Sequence, residues 1–322
     1  MGLKKVNLLI FNFVLFIACI NISDAQNQWV EVFSAKRNNN RLHDIVFTDN
    51  LNGYIVGQGG IILKTTDGGN TWLNVESGTK ETLFSVSFVD KKTGYACGMK
   101  GTVIKTEDSG LTWKKLTLPV SNYLRVICAV DKPRIYAFGE KGTGVLSNDN
   151  GKTWEIINKF TNSDITSVQF INNKTAYLGT YTISYKTVDG GKSWVKFSHP
   201  GMYKIFFLDT INGYAIETWS KIFKTTDGGK IWDTVYKRDK PYIDEYENIW
   251  VLNTNTVYVS NQTNGILKTN DGGLSWMYEN LNKKYLISKV YFINDTCGFS
   301  LALFGDNIHV LKYTKKSMYG QP

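Results

Sequence analysis

Polar and apolar positions change phase every few residues along this chain. Apolar runs are short and are cut by the turn formers Gly, Asn, Asp and Ser. Residues 83–118 resolve into four such runs, 83–89, 95–98, 102–106 and 112–118, which predicts four short strands joined by tight turns. The first run is nearly all apolar, as expected of an inner strand buried between neighbouring sheets.

This pattern recurs. Residues 65–72, 106–113, 147–154, 187–194, 225–232 and 269–276 each read Ser/Thr-x-Asp-x-Gly-x-x-Trp. The motif residues are Asp67 and Trp72, Asp108 and Trp113, Asp149 and Trp154, Asp189 and Trp194, Asp227 and Trp232, and Asp271 and Trp276. Successive Trp positions lie 41, 41, 40, 38 and 44 residues apart, the period of a four-stranded propeller blade. Two further markers keep step. Tyr54, Tyr95, Tyr136, Tyr177, Tyr214 and Tyr258 precede the Trp residues by 17 or 18, and an apolar residue stands seven before each Tyr, from Phe47 to Val251.

A seventh unit, marked by Phe292 and Phe299, ends without a Trp. Its missing outer strand stands at the other end of the chain, where Trp29-Val30-Glu31-Val32 mimics Trp72-Leu73-Asn74-Val75. The expected fold is therefore all-β: a seven-bladed propeller of four-stranded blades, filling residues 26–322, its last blade closed by the N-terminal strand beside residues 307–313. Closure removes the sheet edge that would otherwise invite aggregation, so deleting residues 28–34 should open the ring.

The Asp of each motif can accept hydrogen bonds from backbone N–H groups of its own loop. The Gly permits a positive φ, and the Trp ring packs back on the blade. Asp149-Asn150-Gly151 resembles part of a calcium loop, but the alternate ligands and distal Glu of such a loop are missing, so no metal is assigned.

Gly53-Tyr54-Ile55-Val56-Gly57 with the motif at 64–72, and Gly94-Tyr95-Ala96-Cys97-Gly98 with Trp113, resemble the Asp-box (BNR) propellers. Within these the chain is similar to the photosystem II assembly factor family of Ycf48-like proteins, over residues 28–313. The resemblance implies a non-catalytic protein-binding or assembly scaffold. Asp-box propellers also include sialidases and xyloglucan-cleaving hydrolases, which leaves carbohydrate binding or hydrolysis as the alternative.

The composition, 42% hydrophobic and 14% aromatic, supplies a packed core. Lys4 and Lys5, the apolar run 6–18 and Ser23-Asp24-Ala25 read as a signal peptide over residues 1–25. Lipidation at Cys19, after Ile17-Ala18, and an uncleaved anchor are the alternatives. Export to the periplasm or the cell exterior follows. Removing 1–25 leaves 35 basic against 27 acidic residues, which favours acidic partners such as a membrane-complex subunit. Five Arg in an exported chain argue against nucleic acid. Cys97, Cys128 and Cys297 make no disulfide framework and fall in predicted strands as buried thiols, with a Cys97–Cys128 bridge left open.

Propeller ligands are expected where the inner strands begin, at the mouth of the central channel and opposite the Asp boxes. In the loops of that face basic residues outnumber acidic ones by twelve to seven. Arg37, Arg41, Arg125, Arg238 and Lys240, with Tyr123, Tyr181, Trp219 and Tyr242, form the candidate binding face, because Arg and aromatic side chains anchor protein interfaces. The loop 237–245 is the longest of the set. No catalytic residues are assigned. A sialidase arginine triad is incomplete with Arg41 and Arg125 alone at inner-strand starts, and Tyr246 and Glu247, as strand neighbours, should point to opposite faces. His43, His199 and His309 have no ligand spacing. A monomer without cofactor is expected.

Overall fold

The computed structural model describes residues 28–36, 41–157, 159–217, 221–237, 246–261, 263 and 265–315. They form seven four-stranded antiparallel sheets, the blades of a propeller. The inner strands are Leu42–Phe47, Leu83–Phe88, Leu124–Ala129, Ile165–Phe170, Lys204–Phe207, Tyr246–Val251 and Leu286–Asn294, in blades 1 to 7. Each blade runs outward in chain order except the seventh, whose outermost strand is Gln28–Lys36. That strand pairs antiparallel with Asn307–Thr314, from Gln28 opposite Thr314 to Lys36 opposite Asn307. Trp29 is buried against Phe292 and Tyr313, as Trp72 is against Phe47 and Phe299. The Glu31 carboxylate adds a polar latch, accepting from the Tyr285 hydroxyl at 3.0 Å and lying 3.0 Å from His309 Nδ1 and 3.4 Å from Lys283 Nζ.

The Asp boxes hold their own loops. Asp67 Oδ1 accepts from the backbone N–H of Asn70 and Thr71, both at 3.0 Å, and the Thr71 hydroxyl donates to Oδ2 at 2.7 Å. The Thr65 hydroxyl donates to the same carboxylate and accepts from Gly69 N. Asp108 repeats this arrangement with Thr106, Leu111 and Thr112. Residues 112–118 were expected to pair, and the regular strand is only Lys114–Lys115: before it the N–H of Thr112 is held by Asp108, and beyond it Leu116 N still donates to Val103 O.

The Tyr markers join one blade to the next. Tyr54, Tyr95, Tyr136, Tyr177 and Tyr214 donate their hydroxyls to the box carbonyls of Ser109, Asn150, Gly190, Gly228 and Gly272 in the following blade, at 2.6–3.1 Å. The second glycine of the box leaves room for the same ring. At Gly110 and Gly69 an added Cβ would stand 2.4 Å from Tyr54 and 2.3 Å from Phe299. Between blades 7 and 1, where Phe299 lacks a hydroxyl, Lys312 Nζ donates to Gly68 O at 2.8 Å.

The inner strands make a second ring of stitches. Asp44 Oδ2 accepts from Val86 N, Ser87 Oγ from Ala129 N, Gln169 Oε1 from Phe207 N and Asn248 Oδ1 from Val290 N, each in the next blade. The Tyr291 hydroxyl accepts from Phe47 N and closes the circle. The inner strands are thus less apolar than their sequence suggested. Leu42 and Ile45 are buried between blades, but Asp44 faces the axis. Cys97, Cys128 and Cys297 are free thiols, so the open Cys97–Cys128 bridge is absent. Among the described residues no helix is long and apolar enough to cross a membrane.

Candidate functional site

The inner strands surround a channel of about 680 Å³. In six blades the inner strand carries a register shift near its start, between Leu42 and Asp44, Leu83 and Ser85, Leu124 and Val126, Ile165 and Ser167, Tyr246 and Asn248, and Ile287 and Lys289. A bulge places an extra residue in one strand and re-aims its side chain. The residues at these bulges, His43, Phe84, Arg125, Thr166, Glu247 and Ser288, all line the channel.

Four residues of the candidate face meet around this mouth. Arg41 precedes the inner strand of blade 1, and its Nη2 stands 3.6 Å from Glu247 Oε1 on blade 6. Arg125 Nη2 donates to Asp164 Oδ2 at 3.3 Å and lies 3.9 Å from Glu140 Oε1. Its guanidinium is 5.9 Å from the Phe84 ring centre, and the Tyr123 ring lies 6.4 Å from the same ring. Tyr181 is 48% exposed and stacks on Tyr203 at 5.2 Å. Arg37, Trp219, Arg238, Lys240 and Tyr242 lie outside the described residues, as does most of the loop 237–245.

Among the described residues the charges of the mouth are paired. Arg41 and Arg125 are each matched by carboxylates, and deeper in the channel Lys289 Nζ lies 2.9 Å from Asp44 Oδ1. Composition counts charges, but cannot show which of them neutralise one another. Burial, then the Arg41 charge, pushes the His43 imidazole down to about 4, so it is neutral near pH 7. It meets Phe84 edge-on at 5.2 Å. His43 lines the channel. Burial lowers the Lys204 ammonium to about 8. Tyr246 is buried in the core while its neighbour Glu247 lines the channel, as strand alternation requires.

Lys204, Asp44 and Lys289 escaped the sequence reading. Their signal was a charged residue interrupting an apolar inner-strand run. Among the described residues no three His, Cys, Asp or Glu side chains gather as a metal site. The Asp-box residues all lie in the turns between third and outer strands, beside the turns that follow the inner strands. Gly68 N, for example, donates to Leu51 O. That puts them on the face opposite the mouth.

A family model described as "Photosynthesis system II assembly factor YCF48" matches residues 22–119 and 71–194, more than half of the chain. The chain belongs to this family. The solved structure of YCF48 bound to D1 peptide covers 90% of this chain and 96% of its own, with 18% identity and a TM-score of 0.73. YCF48 from Cyanidioschyzon merolae covers 89% and 98%, with 16% identity and a TM-score of 0.73. At these identities the likeness is one of fold. The GH74 xyloglucanase from Xanthomonas campestris has a TM-score of 0.71 at 13% identity, with 92% of this chain covering 55% of that one. No curated protein sequence matches the chain. The YCF48-family propeller thus shares its blade architecture with binding proteins and glycosidases, and the mouth has to discriminate between them.

Proposed function

We propose that this protein is a non-catalytic scaffold that holds a polypeptide segment of a partner, a subunit of a membrane complex, at the mouth of its axial channel. The observation that carries the reading is the pairing, among the described residues, of the carboxylates that lie there. Asp44, Asp164 and Glu247 each face a cation within 4 Å. A glycosidase needs two carboxyl groups turned to the scissile bond, one as acid and the other as base or nucleophile, whereas these three are each turned to a cation of the protein itself. An aromatic, charged but neutralised rim around a preformed cavity suits a peptide, with Tyr181 as exposed anchor. The solved YCF48 structure carrying a D1 peptide supports a polypeptide ligand for this fold. We place the protein outside the cytoplasm, after removal of residues 1–25 or lipidation of Cys19; the mass of the mature N-terminus decides between the two.

The test is photo-crosslinking from position 181 in the native envelope, with mass spectrometry of the adducts. One protein sequence should dominate, and should disappear when Arg41→Ala and Arg125→Ala are introduced together. Adducts to glycan, or none to protein, would overturn the reading. Hydrolysis is the second reading, favoured by the GH74 propellers, although the chain spans about half the length of those enzymes. Release of reducing ends from xyloglucan by the purified protein would establish it; none is expected.

A further inference from the structure

Lys204 has no role in the reading above. It opens the inner strand of blade 5, next to Tyr203. Its Nζ donates to the Thr166 carbonyl oxygen at 2.6 Å and lies 4.7 Å from the centre of the Tyr203 ring. An ammonium has three donors and no acceptor, and among the described residues this is its one hydrogen bond. The neighbouring cations are matched: Lys289 by Asp44, Arg41 by Glu247 and Arg125 by Asp164. Among the described residues Lys204 has no ion pair. Of the four cations that line the channel, Arg41, Arg125, Lys204 and Lys289, Lys204 alone lacks a carboxylate within 4 Å among the described residues. Burial, then repulsion from Lys289, depresses the ammonium against the weaker pull of Glu247 and Asp44, which lie beyond ion-pair distance. A buried cation with spare donors, in a cavity of ligand size, is stabilised by any anion that enters.

We propose that Lys204 anchors a carboxylate-binding site inside the axial channel, filled by the free C-terminus of a bound polypeptide. The occupant, though not the site, rests on the reading of the mouth as a peptide holder. A single point charge with two free donors matches a monoanion. A phosphate dianion is better met by an Arg fork, and both Arg side chains here already hold carboxylates. The occupant's chain would leave the channel past Tyr203 and the exposed Tyr181 stacked on it.

Two measurements test this on the intact protein. In the first, the labelling rate of each lysine by an amine-reactive succinimidyl ester is followed at pH 8 by mass spectrometry. Acetate replaces chloride at constant ionic strength. Labelling of Lys204 should slow in a saturable way while that of the exposed Lys80 stays constant; an unchanged Lys204 rate overturns the site. In the second, immobilised protein is offered a random hexapeptide pool as free acids and as C-terminal amides. Free acids should be retained about tenfold better, about 1.4 kcal/mol, and Lys204→Met, checked by its melting curve, should abolish the difference. Acetate protection with equal retention of acids and amides overturns the chain-end occupant and leaves a small free carboxylate. A partner crosslinked at position 181 whose capture ignores Lys204→Met sinks this site alone. Acetate protection without any crosslinked partner keeps the site and sinks the scaffold reading.

Discussion

Removing one hydroxyl between blades should destabilise the propeller by an amount that depends on its neighbours. Tyr136 donates to Gly190 O at 2.6 Å, and Gly190 is buried. Tyr177 and Tyr214 donate to Gly228 O and Gly272 O, both at 3.1 Å, but there Lys186 and Lys224 donate to the same oxygens at 3.0 and 2.9 Å. The third blade has Leu146 in the place of those lysines. Tyr136→Phe therefore leaves a buried acceptor without either of these donors, at a cost of about 1–3 kcal/mol. Tyr177→Phe and Tyr214→Phe leave an oxygen still bonded to an ammonium, so each should cost about 0.5–1.5 kcal/mol, the net value of one hydrogen bond. Urea unfolding with a constant m-value measures the difference. A cycle of Tyr177→Phe with Lys186→Met should then reveal coupling, because the double variant strips the oxygen of both donors. The reasoning is refuted if Tyr136→Phe costs no more than Tyr177→Phe, or if the cycle is additive.

Trp29→Ala removes a buried ring from the closing strand and should cost about 3–5 kcal/mol, seen as a fall in Tm; a loss under about 1 kcal/mol would show that the N-terminal strand does not hold the ring. Gly69→Ala combines a φ of +77° with a Cβ placed 2.3 Å from buried Phe299, so overpacking of about 1–3 kcal/mol is expected, more than at Gly68, whose nearest neighbour is Asn50 O at 3.0 Å. Acid should unfold the protein through its boxes. Hydrogen bonds from Thr112 and Thr153 hold Asp108 and Asp149 down to about 2, and Asp67, Asp189 and Asp271 are lowered in the same way. A carboxylate lowered on folding stabilises the native state above its unfolded value of about 3.9, and that contribution fades as pH falls through the folded one. The Tm should therefore drop steeply between about pH 4 and pH 2; a flat profile there would contradict the box geometry.

The blade count, the four strands per blade, the Asp-box turns and closure by the N-terminal strand were all legible in the sequence. Each is a local or periodic property. A carboxylate three and four residues before the N–H groups it captures, or a Trp at a fixed offset, is written in adjacent positions and repeated six times. The Tyr at 17 or 18 before each Trp was visible as a marker, but its role was not. Its hydroxyl bonds a residue 51–58 positions away in the next blade, a distance that only ring packing sets. The mouth was half legible. Arg41, Tyr123, Arg125 and Tyr181 could be assigned to one face from strand order alone. That Arg41 meets Glu247 across the channel, that Arg125 is spent on Asp164, and that Lys204 is left unmatched depend on the closed circle. Ring closure brings residues of blades 1 and 6 within ion-pair range although they are some two hundred positions apart in the chain. Composition registers the charges, and only their distances determine which of them remain to bind something else.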